Sequence, residues 1–369
     1  MIGSAGYAGC VGGSILSRLK TLTVNSDRLK PSRTIHGVIV SNGLDSVSVF
    51  GDYLIRLYSS IHGNLEASAQ VFIRIPHPSI YTWNAIISAH AKLGEESSAM
   101  ALFYRMMDKD HHIKPNRITF LTLLKKCHGC DPRARIEGMI LHDYIFRTEH
   151  IADVAILNTI IDMYAKCGCL TEAYSIFDKL PFKDLVTWSV MISGYAHLGF
   201  GLNALELLEK MIESGLQPCK ITYLSALKAC CNIQQVRYAH LLHTHIVLSG
   251  LESEINLGTS LVDMYCKCCN LVDAHRVFDQ LPIRNVVTWS SIIIGYMHEG
   301  LYTTCLQFFT QMQQEDIAPD VIVFSNVLKA CSNLKALEQG RLVHKQIRKS
   351  GFAIEIALAV DLVEFYGRC

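Results

Sequence analysis

Residues 186–199 read VTWSVMISGYAHLG, and the same pattern stands at 81–94 as YTWNAIISAHAKLG and at 287–300 as VTWSSIIIGYMHEG. Trp83, Trp188 and Trp289 are the only tryptophans in 369 residues and lie 105 and 101 residues apart. A second marker, IDMYAKCGCLTEAYSIFDKLP at 161–181, returns as VDMYCKCCNLVDAHRVFDQLP at 262–282, with a looser copy, IRLYSSIHGNLEASAQVFIRIP, at 55–76. A third is a histidine followed seven residues on by glycine, at His36, His243 and His344; His142 occupies the same place, with Glu149 where the glycine would be. The chain is therefore an internal repeat with a superperiod of about 101 residues, built of three unlike units, and every motif in it has to be read against that period.

Each unit reads as two short helices. In 185–219, Trp188, Ile192 and Tyr195 fall at i, i+4 and i+7, LGFG interrupts, Ala204, Leu208 and Met211 resume the stripe, and Gly215 and Pro218 close the unit. Helices this short are marginal alone in water, so each pair must bury its apolar stripe on the next. The expected fold is all-α, a right-handed α-solenoid of stacked helix-turn-helix repeats. Counting from three residues before each tryptophan, or its equivalent, gives units 48–79, 80–116, 117–153, 154–184, 185–219, 220–254, 255–285, 286–320 and 321–355. Residues 30–47 form a partial unit before these nine, and 356–369 repeats only the first helix of the 31-residue type. That end reads as cut rather than capped, which predicts an exposed apolar face and poor solubility, or a missing continuation.

Composition narrows the function classes. Thirty-four Lys+Arg against 33 Asp+Glu leave a net charge of +1, without the basic arm or acidic tail that marks polyanion or histone partners by charge alone. Half the residues are hydrophobic and 18% charged, too apolar for disorder. No apolar run reaches the roughly 18 residues that span a bilayer, so no membrane partner is expected. Fourteen cysteines scattered through a long helical sequence, with no secretory signal ahead of them, point to free thiols in a reducing compartment.

Units of 35, 35 and 31 residues, carrying VTWS…MISGY…NALELLEKMIESGLQP, then ITYLSALKAC…LLHTHIVLSG, then LVDMYCKC…DAHRVFDQLP, resemble the pentatricopeptide repeat (PPR) family of plants, in particular its P, L and S triplet (PLS) subclass, here without the C-terminal E/DYW extension. The resemblance covers roughly 30–369, and on it 48–355 is nine PPR repeats in S-P-L order. It implies a protein lying along single-stranded RNA in a plant organelle, one repeat per base, that guides C-to-U editing or processing by a partner. The expected partners are an editing deaminase and accessory editing factors in trans. It also implies that the fifth and last residues of a repeat carry the readout. In this chain those are Asn84 with Asn116, Asn158 with Asp184, Ser189 with Cys219, Thr259 with Asn285, and Ser290 with Asp320. By the family's pairing rules they spell a pyrimidine with C favoured, U, an unassigned base, A, and G. Asp52 with Ser79 fits no usual pair, L-type repeats are poorly coded, and the implied site is 5′-nYnUnnAGn-3′.

Such a readout has physical sense, because unstacked bases offer Watson–Crick edges that short polar side chains can bond serially along a solenoid. A structural alternative stands beside it. Asn116, Asp184, Asn285 and Asp320 each precede a first helix, where Asn and Asp are favoured N-caps. Asn84, Asn158, Ser189, Thr259 and Ser290 are harder to dismiss, since they interrupt apolar runs inside helices where these types gain nothing in propensity. Tyr81, Val186 and Val287, at second positions, would either flank bases by van der Waals contact or serve as ordinary surface residues.

The remaining constellations do not read as chemistry. Cys127-x-x-Cys130 and Cys266-x-x-Cys269 have zinc-knuckle spacing, but Cys127, Cys230 and Cys331 share one position of the L unit and Cys167 and Cys268 one of the S unit, so the thiols track repeat packing and no metal site is expected. Repeat stacking would hold the four periodic histidines on the order of 25 Å apart, too far to converge on one ion. None of the 16 histidines is followed two residues later by the glutamate of a cytidine deaminase, and there is no P-loop, GxGxxG or GxSxG. No enzyme activity and no cofactor are expected. Residues 1–29, with Arg18, Lys20 and Arg28 against the lone acid Asp27 and interspersed serines, read as an organellar transit peptide, mitochondrial before chloroplast, or as a disordered N-terminus. The rival function is a tetratricopeptide-like protein-interaction scaffold, which would show uniform 34-residue units; a third reading is an inactive truncated fragment.

Overall fold

The computed structural model describes residues 29–41, 47–60, 64–108, 113–127, 129, 131–148, 153–350 and 356–369. The transit-peptide reading of 1–29 falls, apart from Leu29, outside them, as do Cys130 and Glu149. Among the described residues the chain is all-α, with twenty helices and no strand. It divides into two compact units, Met1–Asp178 and Lys179–Cys369.

The first unit holds α1 (Leu29–Ser41), α2 (Ser48–Ser60), α3 (Leu65–Ile73), α4 (Ile80–Lys92), α5 (Glu96–Met107), α6 (Arg117–Leu124), α7 (Pro132–Phe146), α8 (Val154–Lys166) and α9 (Leu170–Lys179, whose last residue lies past the boundary). The second begins with α10 (Leu185–His197), α11 (Gly201–Glu213), α12 (Lys220–Ile233), α13 (Val236–Leu248), α14 (Ile255–Lys267) and α15 (Leu271–Gln280). It continues with α16 (Val286–His298), α17 (Tyr302–Gln314), α18 (Val321–Leu334), α19 (Leu337–Lys349) and α20 (Ile356–Arg368). In both units each first helix packs on the next first helix: α2, α4, α6 and α8 form one row, and α10, α12, α14, α16, α18 and α20 the other. The second helices fill between them, α11 for example touching both α10 and α12.

The core follows the stripe read from the sequence. Trp83 and Trp289 are fully buried, each edge-on to a phenylalanine of the preceding second helix, Phe72 at 4.7 Å and Phe278 at 4.8 Å between ring centroids. Such edge-to-face pairs add about 0.5–1.5 kcal/mol beyond area burial. The turn between paired helices needs one left-handed residue. Gly94, Gly199 and Gly300 supply it in the tryptophan-bearing units, but Gln234, Cys269 and Lys335 take the same conformation, at φ 57°, 56° and 53°.

The periodic histidines act in packing. Nδ1 of His36, His142, His243 and His344 lies 2.7–3.0 Å from the hydroxyl of Tyr58, Tyr164, Tyr265 and Tyr366 respectively, always 22 residues on, joining the second helix of one unit to the first helix of the next. Burial pulls His142 and His243 below the ordinary histidine pKa. Cys127, Cys230, Cys268 and Cys331 are buried thiols outside any disulfide, and Cys167 is a half-buried thiol that donates to the Cys127 carbonyl at 3.6 Å. Burial pushes the Cys127 thiol up to about 12, so it packs as a neutral small side chain. Among the described residues no group of three or more His, Cys, Asp or Glu is placed to hold a metal ion.

Candidate nucleic-acid interface

The residues singled out from the sequence gather at the N-terminal ends of successive first helices. The last residue of a unit is the N-cap of the next first helix, because only a short acceptor reaches back to the orphan N–H groups of the first turn. Asn116 accepts from the Ile118 and Thr119 amides at 3.0 and 3.2 Å, Asp184 from Thr187 at 2.7 Å, Asn285 from Thr288 at 2.9 Å and Asp320 from Val323 at 2.8 Å. The N-cap role is therefore real, and it fixes each of these side chains at a helix end. Cys219 makes no such cap.

The fifth residues sit one turn further in. Asn84, Asn158, Ser189, Thr259 and Ser290 are each at most 9% exposed. Asn84, Ser189 and Thr259 are each joined to the last residue of their own unit. The Asn84 amide donates directly to Asn116 Oδ1 at 3.1 Å. Ser189 lies 2.6 Å from the Thr222 hydroxyl, which lies 3.3 Å from Cys219 Sγ. Thr259 lies 2.7 Å from the Thr288 hydroxyl, which donates to Asn285 Oδ1 at 3.0 Å. Ser290 donates instead to the Val286 carbonyl at 2.8 Å. Asn158 is buried in α8 of the first unit, and Asp184 caps α10 of the second.

The linking threonine is a site residue that the sequence reading passed over. Thr82, Thr119, Thr187, Thr222 and Thr288 are all fully buried, three residues after a unit boundary. The signal was present in the opening motif, where a threonine precedes each tryptophan, and recurs before Phe120 and Tyr223. Asp320 has no such neighbour, because Val323 stands in the threonine's place.

Three further features complete the site. The second-position residues Tyr81, Ile118, Val186, Ile221, Val287 and Ile322 are 54–66% exposed, whereas units 154–184 and 255–285 carry Ala155 and Asn256 there. The last turns of the first helices carry Lys92, Lys166, His197, Lys267 and His298. Lys166 and Lys267 are answered by Asp162 and Asp263 at 2.7 Å, one turn earlier. Two groups are shifted. Burial alone would raise the Cys219 thiol, but hydrogen bonding, first of all with the Thr222 hydroxyl, brings it below the ordinary thiol value. Burial raises Asp52, against a hydrogen bond from Thr82 and the charge of Arg56.

Stacked helix pairs with a buried polar fifth residue recurring in five of the nine units define a helical-repeat protein. The model of the PPR repeat family matches residues 78–129, 183–232 and 284–333, and that of the PPR repeat matches 155–185 and 259–286. The chain belongs to the PPR repeat family. It is similar to pentatricopeptide repeat-containing proteins of Arabidopsis thaliana. One is 30% identical over 96% of this chain and 42% of its own length. Another, chloroplastic, is 33% identical over 85% of this chain and 58% of its own. The chain thus spans about half the length of the curated relatives it matches. Among solved structures, the pentatricopeptide repeat protein PPR10 from maize aligns with 91% of this chain and 58% of its own, at TM-score 0.47 and 16% identity. PPR10 in complex with an 18-nt psaJ RNA element aligns at TM-score 0.45 and 16% identity.

Proposed function

We propose that this chain binds single-stranded RNA in a sequence-specific way, one repeat per base, in a plant organelle, and that it positions a partner enzyme for C-to-U editing or processing of the bound transcript. The observation that carries the reading is the recurring station: a buried polar fifth residue beside a half-exposed or exposed last residue, linked to it in units 80–116, 185–219 and 255–285, with an exposed apolar side chain one position into the helix in 80–116, 185–219 and 286–320. A base that slips between successive second-position residues, such as Tyr81 and Ile118, meets apolar surface on its faces and polar groups at its edge. The bonds that now join the two reading residues also satisfy them in the absence of RNA, so neither is left buried and unpaired.

Affinity in this scheme rests on stacking and edge contacts. The net charge is +1 and two of the helix-end lysines are internally paired, so the dependence on salt is shallow. In the same reading the PLS order and the base assignments give 5′-nYnUnnAGn-3′, and chemistry is supplied in trans by a deaminase and accessory factors.

The test is selection from a pool of short single-stranded RNAs by the purified chain at one stated, moderate salt concentration, followed by sequencing. Enrichment of YnUnnAG, with U changing towards A at the fourth base when Asn158→Thr and Asp184→Asn are combined, supports the assignment. No motif from a sample with native helical content refutes it.

A further inference from the structure

We infer that the buried threonine that stands third in five of the nine units, Thr288 above all, is a positioning residue that sets the hydrogen-bond polarity of the reading pair and so decides which bases that pair accepts. The inference rests on the RNA-reading function proposed above. Proton accounting carries it. A threonine hydroxyl has one hydrogen to give. Thr288 gives its own to Asn285 Oδ1 at 3.0 Å, so the hydrogen in the 2.7 Å contact with Thr259 comes from Thr259. Thr259 is left with lone pairs only. Asn285 Oδ1 already accepts from both the Thr288 amide, at 2.9 Å, and the Thr288 hydroxyl, so both its lone pairs are engaged and what it adds to a ligand is its NH2 group.

The pair thus offers one acceptor beside one donor. Adenine presents the complement, a donor at N6 and an acceptor at N1, and cytosine repeats it at N4 and N3. Guanine and uracil present the reverse order, an oxygen acceptor beside an N–H donor, and would set acceptor against acceptor. Polarity alone therefore admits A and C and rejects G and U, leaving A against C to base size. Without the Thr288 hydroxyl, Thr259 is free to turn and donate, and the order is no longer fixed. The adjoining station is built the other way. Val323 is fully buried and has no hydroxyl, Asp320 Oδ1 receives only the Val323 amide, at 2.8 Å, and the second carboxylate oxygen remains an acceptor suited to the N1–H and N2–H donors of guanine.

The experiment measures affinity of the purified chain for four short RNAs that carry YnUnn, then A, C, G or U, then G, at one salt concentration, for the parent, Thr288→Val and Thr288→Ser. The expected result for Thr288→Val is a fall of about tenfold in the preference for A over G and over U, the weight of one misplaced buried hydrogen bond. The preference for A over C, and for G at the following base, stays unchanged. Thr288→Ser keeps the hydroxyl and retains the parent's ratios, which separates polarity from packing. An equal loss for all four RNAs, or unchanged A:G and A:U ratios in Thr288→Val, overturns the inference while leaving RNA reading intact. A parent that binds all four RNAs alike overturns RNA reading at this station and the inference with it.

Discussion

Gly201, the first residue of α11, tests whether the second helices are seated as closely as the structure has them. A Cβ built there would lie 2.5 Å from the Ala229 carbonyl oxygen and 2.8 Å from Ile233 Cγ1, both on α12. Helix propensity favours Gly201→Ala by up to about 1 kcal/mol, less at a helix end. Steric overlap opposes it, and the offending atom is backbone, so α11 has to move away from α12 by about half an ångström; overpacking of this kind costs about 1–3 kcal/mol. Sterics therefore win, with a net loss of about 1–2 kcal/mol, equivalent to about 2–8 °C for a unit of this size.

The control is Gly37→Ala in the interior of α1, where a Cβ would meet nothing within 4 Å. There propensity acts alone and the substitution stabilises by up to about 1 kcal/mol. Thermal unfolding followed by far-UV circular dichroism reads both variants. Adding Ile233→Ala does not rescue Gly201→Ala, because the contact that cannot yield is the carbonyl. Should Gly201→Ala melt at or above the parent, the close seating of α11 on α12 is wrong, and with it the spacing that sets one first helix from the next.

Two further predictions follow from the fold. His90, His142 and His243 are each held below their ordinary value of 6.5, chiefly by burial; for a base depressed in the fold, the stability it contributes is complete above 6.5 and is lost as pH falls from 6.5 through the folded value. The midpoint of thermal unfolding should therefore decline on acidification below pH 6.5, and a flat profile between pH 7 and 5 would show that these rings are solvated. Lys335, exposed and left-handed at φ 53°, should gain about 0.5–1 kcal/mol in Lys335→Gly, whereas Gly199→Ala, at φ 86°, should lose about 1 kcal/mol; urea midpoints for the two variants moving in the same direction would contradict the turn assignment.

The helical architecture was legible because it is written in local signals. A stripe such as Trp188, Ile192, Tyr195 has period 3.6, and the glycine four residues beyond Tyr195 ends the helix it belongs to. The partners of the periodic histidines were not legible, since His243 and Tyr265 lie 22 residues apart on different helices and nothing in their spacing distinguishes a hydrogen bond from two surface residues. Gln234, Cys269 and Lys335 also escaped notice, because a left-handed turn without glycine leaves no mark in the sequence. The threonine relay is an intermediate case. Its members stood in the quoted motif, but a residue beside a buried tryptophan reads as core until its hydroxyl is seen between Thr259 and Asn285.

In the RNA-reading proposal that relay accounts for asparagine at 116 and 285: the residue holds the N-cap of the next helix, accepts from a buried threonine and still faces a base, and a short side chain with an oxygen at the right reach does all three. Asn285→Asp keeps cap and threonine contact and changes only what the base meets, so it should alter specificity at little cost in stability. Asn285→Ala removes the one oxygen that accepts from both the Thr288 amide and the Thr288 hydroxyl, costs about 1 kcal/mol as a lost cap, and leaves that hydroxyl buried with Thr259 as its remaining neighbour. Cys219 sits at the other extreme. Its sulfur forms no cap, and a thiol is a weaker hydrogen-bond partner for the Thr222 hydroxyl than the amide oxygen that Asn285 offers to Thr288. On the proposed reading, Cys219→Asn should strengthen stability and base choice at 185–219 together: a higher unfolding midpoint, and a base preference at the fifth base of the site where the parent is expected to have none.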